Sequence, residues 1–261
     1  MDKDILLAEH NKMIEDLSAD KIIRCPHCAK DIKPLHSMDA RIKVVVGTPS
    51  MGHIEPQVFD RFIDWAMYLK ELEYKYPFKF IFSSMGDVLT PWARERIAEH
   101  ALDAKADYLL FVDDDMMFPM EIFEMLFKHN VDVVVPLMFM RNYPHSPVIY
   151  RIKKGYDKQV HQEYYLTELI TDYPPDTLLK VDATGMGICL IKLDILHKIP
   201  KTWFMNTQGT GEDVYFTQRA TDAGFGVYVD TSIHNIIHLG DRKKVDEAYY
   251  KEVHKIGKTA S

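Results

Sequence analysis

Disulfides, membrane-spanning runs and a secretory signal are all scarce or missing in this chain of 261 residues. Its three cysteines cannot form a paired disulfide framework, and no apolar stretch approaches the roughly 20 residues needed to cross a membrane. The start, Met1-Asp2-Lys3-Asp4, lacks the basic and then apolar build of a secretory signal. We therefore expect a reduced, cytoplasmic protein. The formal net charge of -7 argues against a protein that binds polyanions over its whole surface.

The residues that are present favour a globular α/β protein. Apolar residues make up 47% of the chain, which is enough for a sizeable core. Strand-like apolar runs alternate with segments of helical periodicity, so we predict a mostly parallel sheet with helices on both faces. The predicted strands are 42–47, 78–82, 108–112 and 131–136, and the predicted helices between them are 56–74, 90–105 and 119–128.

We divide the chain into three parts. Residues 1–38 form a short N-terminal head with an amphipathic helix and a Cys-x-x-Cys knuckle, residues 39–240 form the α/β body, and residues 241–261 form a helical tail. Within the body, residues 141–179 carry scattered tyrosines and prolines. That pattern is equally typical of a functional loop and of a covering hairpin, so both interpretations stay open.

The knuckle of the head has the spacing of a metal site. Cys25 and Cys28 are separated by two residues, but a structural Zn²⁺ needs four ligands and no second Cys-x-x-Cys follows. The nearby His27 and His36, or a second copy in a homo-oligomer, could complete the set. Zn²⁺ binding and a pair of free thiols therefore both stay open.

A cluster of acids closes the strand predicted at 108–112. Asp113, Asp114 and Asp115 follow the apolar run directly. Three adjacent carboxylates repel one another, so the cluster favours a counter-ion, and a hard divalent metal with oxygen ligands is the natural candidate. In open α/β sheets, ligands bind beyond the carboxyl ends of the strands, which is where this cluster would lie. The alternative is a solvated acidic turn.

A second acidic site is predicted at Glu212 and Asp213. Gly209 and Gly211 precede these acids and allow the backbone to approach a ligand closely. The same acids also begin a predicted helix, where the helix dipole alone would favour them. The pair therefore fits either a reactive site or a simple helix start.

Two later features are weaker signals. The Gly185-Met186-Gly187 turn lacks the third glycine and the following helix of a dinucleotide fingerprint. His238 follows a predicted strand, and a lone histidine there is more often a hydrogen-bonded core residue than a ligand.

Six of these segments occur in a fixed order along the chain. They are Val44 to Pro49, Ala93-Arg94, Asp113-Asp114-Asp115, Gly185-Met186-Gly187, Glu212-Asp213 and His238-Leu239-Gly240. In this order they resemble the GT-A glycosyltransferases, nearest to the family-2-like enzymes, over roughly residues 41–240. The Gln-x-x-Arg-Trp signature of processive members is absent, which indicates transfer of a single sugar.

The resemblance implies a GT-A, Rossmann-like fold and an inverting transfer from a nucleotide sugar, with a UDP-sugar favoured, to an acceptor hydroxyl. The acceptor would be a glycan, a protein or a modified nucleic acid, and Mn²⁺ or Mg²⁺ would bind the diphosphate. The implied donor-binding residues are Thr48, Pro49, Ser50, Arg94, Asp113, Asp114, Gly185 and Gly187. The implied metal ligands are Asp113, Asp115 and His238, and the implied catalytic base is Asp213, with Glu212 as the fallback.

Three alternatives are weighed against this interpretation. A DNA or modified-base glycosyltransferase is permitted by the zinc-like head and by the Arg151-Lys153-Lys154 patch, although the acidic net charge opposes it. A nucleotidyltransferase of related fold would prefer a lysine- and arginine-rich glycine loop after the first strand, which is absent. A non-catalytic binding protein would not need the acids, glycines and histidine together.

Overall fold

A computed structural model describes residues 23–24, 31–32, 41–50, 52, 54–157, 162–207, 209–240 and 243–255. The predicted zinc knuckle at Cys25 and Cys28 lies outside the described residues, as does the predicted helix of the head. Within the ranges given, none of the helices combines the length and the apolar character that a membrane span requires.

Strands and helices alternate through most of the described chain. The strands are β1 (Ile23–Arg24), β2 (Asp31–Ile32), β3 (Ile42–Pro49), β4 (Phe78–Met85), β5 (Tyr108–Val112), β6 (Met116–Met117), β7 (Val133–Pro136), β8 (Ile149–Asp157), β9 (Gln162–Leu169), β10 (Leu178–Val181), β11 (Ala183–Thr184), β12 (Ile188–Lys192), β13 (Val227–Asp230), β14 (Ile237–Gly240) and β15 (Lys243–Val245). The helices are α1 (Pro56–Lys75), α2 (Thr90–Asp103), α3 (Ile122–Phe127), α4 (Asp194–Lys198), α5 (Glu212–Asp222) and α6 (Glu247–Val253).

A seven-stranded sheet forms the centre of the molecule, in the order β10-β13-β7-β12-β5-β3-β4. The strands β3, β4, β5, β7 and β13 run in one direction, whereas β10 and β12 run in the other. The sheet is therefore mixed, with its parallel strands in the majority. The predicted fold class, a GT-A-like α/β domain with a large central sheet and helices, is confirmed.

Helices cover both faces of this sheet. On one face, Phe123 of α3 packs edge-on against Phe80 of β4, with ring centroids 5.0 Å apart, and the fully buried Trp65 of α1 joins the same layer. On the other face, α2 approaches β3 so closely that a Cβ atom at Gly47 would clash with Ile97. This glycine lets the first helix after β4 lie directly on the strand that leads to the predicted nucleotide pocket.

Two smaller sheets surround one edge of the core. The first joins β11, β8 and β9, so residues 141–179 contain a long covering hairpin. The second joins β15, β14 and β6. The segment 243–255, assigned to a helical tail, forms β15 and α6, and Tyr250 of α6 is buried with its ring 5.1 Å from Phe139.

Two local predictions need correction. The sequence predicts Thr90 as a helix N-cap with Pro91 at the first helical position, but α2 already begins at Thr90 and Leu89 holds the cap position. The spacing of α1 predicts one buried face. Leu69 and Leu72 of that face are buried, whereas Phe59 and Ile63 are 53% and 46% exposed. Val58 and Trp65 are buried in their place, and burial of Trp65 removes the largest apolar side chain of the helix from water. The remaining members of the predicted face, Phe62 and Ala66, are partly buried.

Candidate active site

The acid cluster lies at the carboxyl end of β5, between the end of β3 and the start of β12. The backbone N–H of Asp113 donates to the carbonyl of Gly187 at 2.8 Å, which fixes the start of the cluster against the segment before β12. The Leu239 N–H donates to the carbonyl of Asp115 at 2.8 Å, which fixes its end against β14. The cluster is therefore held between two segments that come much later in the chain.

Arg94 is the buried centre of the site. Its side chain is 2% exposed, and Nη2 donates to Asp113 Oδ2 at 2.9 Å while Nε donates to Glu212 Oε1 at 3.3 Å. The guanidinium also lies 5.0 Å from the centroid of the Phe111 ring. One cation thus joins the two acidic segments that the sequence shows far apart. The resemblance implies that Arg94 contacts the donor, and the buried side chain contacts Asp113, an implied donor-binding residue, and Glu212, the implied fallback base.

The pKa values show how tightly these charges are coupled. Burial lowers the pKa of the Arg94 guanidinium, but Asp113 and Glu212 outweigh burial and leave that pKa raised. Burial raises the pKa of the Asp113 carboxyl to about 7, with Arg94 opposing the rise and Asp115 adding to it. Asp113 is therefore a carboxyl that needs its arginine to stay ionised near neutral pH.

Asp115 and His238 form a hydrogen-bonded pair at the end of the acid cluster. The register between β14 and β6 sets His238 opposite Met116, so that His238 Nε2 lies 3.0 Å from Asp115 Oδ2. His238 Nδ1 lies 3.0 Å from the carbonyl of Phe139, which fixes the ring orientation. Burial lowers the pKa of His238, but the hydrogen bond and charge of Asp115, the Phe139 carbonyl and the charge of Asp113 together outweigh burial, so the pKa is raised. The two side chains are 22% and 24% exposed.

Among the described residues, no group of three or more His, Cys, Asp or Glu side chains is arranged to hold a metal ion, so the predicted three-residue metal cluster is not formed. Asp113 pairs with Arg94 instead, because a guanidinium that is 2% exposed requires a negative partner. The remaining pair, Asp115 Oδ2 and His238 Nε2, is hydrogen-bonded at 3.0 Å. A carboxylate oxygen and an imidazole nitrogen are both donor types that bind divalent metals, so the chemistry of this pair fits such an ion.

Glu212 and Asp213 begin helix α5 on the other side of Arg94. Glu212 is 16% exposed, and its Oε1 pairs with Nε of Arg94. Asp213 Oδ1 accepts from the Val214 N–H at 2.7 Å, and Oδ2 faces Gly185, where an added Cβ would lie only 3.4 Å away. Asp213 Oδ2 therefore lies against the glycine turn at Gly185.

The helix that carries Asp213 is locked to the covering sheet. Thr217 is fully buried, and its Oγ1 accepts from the Thr184 N–H at 3.1 Å. Burial raises the pKa of the Asp213 carboxyl to about 6, and the neighbouring Glu212 adds to the rise. A carboxylate with a pKa near the working pH is well suited to proton transfer. Asp213 combines a fixed position with that property.

The other predicted donor residues fall into two groups. Thr48, Pro49 and Ser50 end β3 at the same edge as the acid cluster, and the Ser50 N–H donates to the Met85 carbonyl at 2.9 Å. Gly185 and Gly187 provide space instead of a phosphate loop. A Cβ at Gly187 would lie 3.2 Å from the Met116 sulfur, and one at Gly185 would press on Val148. Asp114 carries a buried oxygen without a hydrogen-bond partner in the described structure.

Sequence reasoning missed two side chains at this site. Arg141 Nη1 donates to Asp115 Oδ2 at 3.2 Å, and Tyr150 lies close enough to Asp213 that, after burial, this acid is the next cause raising the tyrosine pKa to about 12. Both belong to the segment 141–179, whose many tyrosines and prolines gave no reason to choose one residue. The sequence could have pointed to Arg141 only through the acids at 113–115, which call for a basic partner.

Comparisons with known proteins address the fold. No protein-family model and no curated protein matches this sequence. The crystal structure of A197 from STIV superposes with a TM-score of 0.52 and 20% identity, covering 79% of this chain and 91% of that one. The structure of GalNAc-T7 with UDP, GalNAc and Mn²⁺ gives a TM-score of 0.40 and 11% identity over 88% of this chain and 50% of that one. The first likeness shows a shared fold, and the second is too weak to support an inference.

Proposed function

We propose that the chain is a metal-dependent, inverting glycosyltransferase that moves one sugar from a nucleotide sugar to an acceptor hydroxyl. The observation that carries this proposal is the buried Arg94, which brings Asp113 and Glu212 into one site at the carboxyl edge of the sheet. One side of this arginine has the pair Asp115 and His238, which suits a metal. The other side has Asp213, which suits a general base.

The donor would bind between the end of β3 and the acid cluster. Thr48, Pro49 and Ser50 would line the nucleoside pocket, and Asp115 and His238 would hold Mn²⁺ or Mg²⁺. When bound, such an ion neutralises the negative charge that grows on a diphosphate leaving group. Arg94 opposes the rise in the Asp113 pKa that burial and Asp115 cause, and so favours the ionised form of this carboxyl.

The acceptor would approach from the side of Asp213. Its carboxylate removes the proton from the acceptor hydroxyl as that oxygen attacks the anomeric carbon, on the face opposite the diphosphate. Glu212 remains the fallback base, and its Oε1 accepts from Arg94 Nε at 3.3 Å. The pKa of about 6 leaves Asp213 ionised at neutral pH and still basic enough to accept a proton.

A nucleic-acid acceptor receives less support than the sequence suggested. The Arg151-Lys153-Lys154 patch lies on β8, and Lys153 Nζ is 2.9 Å from Glu168 Oε2 on β9. This pairing reduces the free positive charge that a phosphate backbone would need. A glycan or protein hydroxyl is the acceptor class we expect.

A donor-hydrolysis assay tests the proposal. Purified protein should release nucleoside diphosphate from a member of a panel of UDP- and GDP-sugars in the presence of Mn²⁺, and excess chelator should stop the release. Nucleoside triphosphates serve as the comparison. Cleavage of triphosphates but not of sugar nucleotides would assign the site to a nucleotidyltransferase instead. With an acceptor supplied, proton NMR of the first product should show the inverted anomer.

A further inference from the structure

The loop between β7 and β8 presents one charged side chain to the acid cluster. Its base is fixed: Phe139 forms a bridge with Pro147, and the Met140 N–H donates to the Ser146 carbonyl at 2.9 Å. Arg141 follows directly. The long side chain of Arg141 therefore extends from a hydrogen-bonded base, and it remains 53% exposed.

Arg141 and the proposed metal ion need the same oxygen atom. Arg141 Nη1 donates to Asp115 Oδ2 at 3.2 Å, and His238 Nε2 lies 3.0 Å from that same oxygen. A guanidinium and a divalent cation both require the lone pairs of a carboxylate oxygen. An ion held by Asp115 and His238 would therefore compete with Arg141.

The same loop also supports the other ligand of this pair. The carbonyl of Phe139, two residues before Arg141, lies 3.0 Å from His238 Nδ1 and holds the ring in place. Release of Arg141 from Asp115 need not disturb this contact, because the base of the loop is fixed by its own hydrogen bonds. The loop can thus keep His238 oriented while the arginine changes partner.

A diphosphate bound to the metal would lie next to the released guanidinium. Arginine offers five N–H donors in a planar arrangement that matches two phosphate oxygens at once. We propose that Arg141 exchanges partners, binding Asp115 in the empty site and the diphosphate of the nucleotide sugar once the metal is bound. This inference rests on the proposed function and adds a donor-binding residue that couples metal binding to donor binding.

Two binding measurements on the full chain test this exchange. Isothermal titration calorimetry would give the affinity for Mn²⁺ alone, and then the affinity for UDP, or for GDP, in saturating Mn²⁺. The variants are Arg141→Ala and Arg141→Lys. Arg96→Ala is the matched control, because Arg96 is 62% exposed and pairs with Glu99 at 3.0 Å, away from the acid cluster.

The exchange predicts effects of opposite sign. Arg141→Ala should bind Mn²⁺ alone about two- to fivefold more tightly, because an exposed ion pair no longer competes. It should bind the nucleoside diphosphate about tenfold or more weakly, because a charge-assisted contact is lost. Arg141→Lys should fall between Arg141→Ala and wild type for the diphosphate, since an ammonium is a point charge. Arg96→Ala should match wild type in both titrations.

Other outcomes overturn the inference. Unchanged affinities in Arg141→Ala would make the contact an ordinary surface ion pair. Weaker binding of Mn²⁺ and of diphosphate together would show that the arginine merely supports the metal site. A wild-type protein that binds neither Mn²⁺ nor UDP or GDP would refute the proposed function itself, and the exchange with it, so the two failures are told apart by the wild-type titrations.

Discussion

Replacement of Arg94 by Met keeps most of the side-chain length and removes the buried charge. Asp113 and Glu212 then lose the cation that lies 2.9 and 3.3 Å from them. Breaking a buried ion pair typically costs 3–5 kcal/mol, and because both acids keep some exposure we expect about 3 kcal/mol. For a protein of this size class, that corresponds to a fall in Tm of about 6–12 °C.

The loss of stability should depend on pH in a defined direction. The Asp113 carboxyl already has a pKa of about 7, raised by burial and by Asp115 against the effect of Arg94. The pKa of an unfolded Asp carboxyl is about 3.9. A carboxyl whose pKa is higher than this in the folded state lowers the free energy of unfolding at pH values above about 3.9, and it has no effect on that free energy at lower pH. Removing Arg94 raises the pKa further. The difference in Tm between wild type and variant should therefore be small at about pH 4 and grow towards about pH 8.

Differential scanning calorimetry in the presence of a chelator measures this difference. Arg96→Met is the control, because an exposed ion pair contributes about 0–1 kcal/mol and its side chain is 62% exposed. A double variant, Arg94→Met with Glu212→Gln, should regain part of the lost stability at neutral pH. Equal Tm values for wild type and Arg94→Met from acidic to alkaline pH would refute the view that Arg94 holds the two acidic segments together.

Four further outcomes are expected. Asp213→Asn should slow transfer about 10²–10⁴-fold with nucleotide binding retained, and Glu212→Gln should slow it less. Wild-type rates in both variants would show that these acids only cap the helix. In the wild type, log(kcat/KM) should rise with pH and level off above the Asp213 pKa of about 6. His238→Ala should weaken Mn²⁺ affinity at least about tenfold in calorimetry, whereas a lower Tm with unchanged affinity would identify a core histidine. Gly47→Ala should lower the free energy of unfolding in urea by about 1–3 kcal/mol, since its Cβ would clash with Ile97; full stability would show that α2 can shift.

Much of the candidate site could be found from local sequence patterns. The acids Asp113–Asp115 stand at the tip of an apolar strand, and Glu212 with Asp213 follows glycines at a helix start. Both positions are visible because strand and helix periodicity are local properties. The covering hairpin in residues 141–179 could not be separated from a functional loop, because pairing between β8 and β9 depends on contacts across the chain.

The sequence by itself determined the alternation of strands and helices, the α/β class and the two acidic segments, since these follow from hydrophobic spacing and turn residues. The tertiary structure alone decided which charges meet. It buried Arg94 between Asp113 and Glu212, and it brought His238 and Arg141 to one oxygen of Asp115. These contacts join residues from 19 to 123 positions apart. Sheet register and the burial of uncompensated charge set them, and neither is encoded in any short stretch of chain.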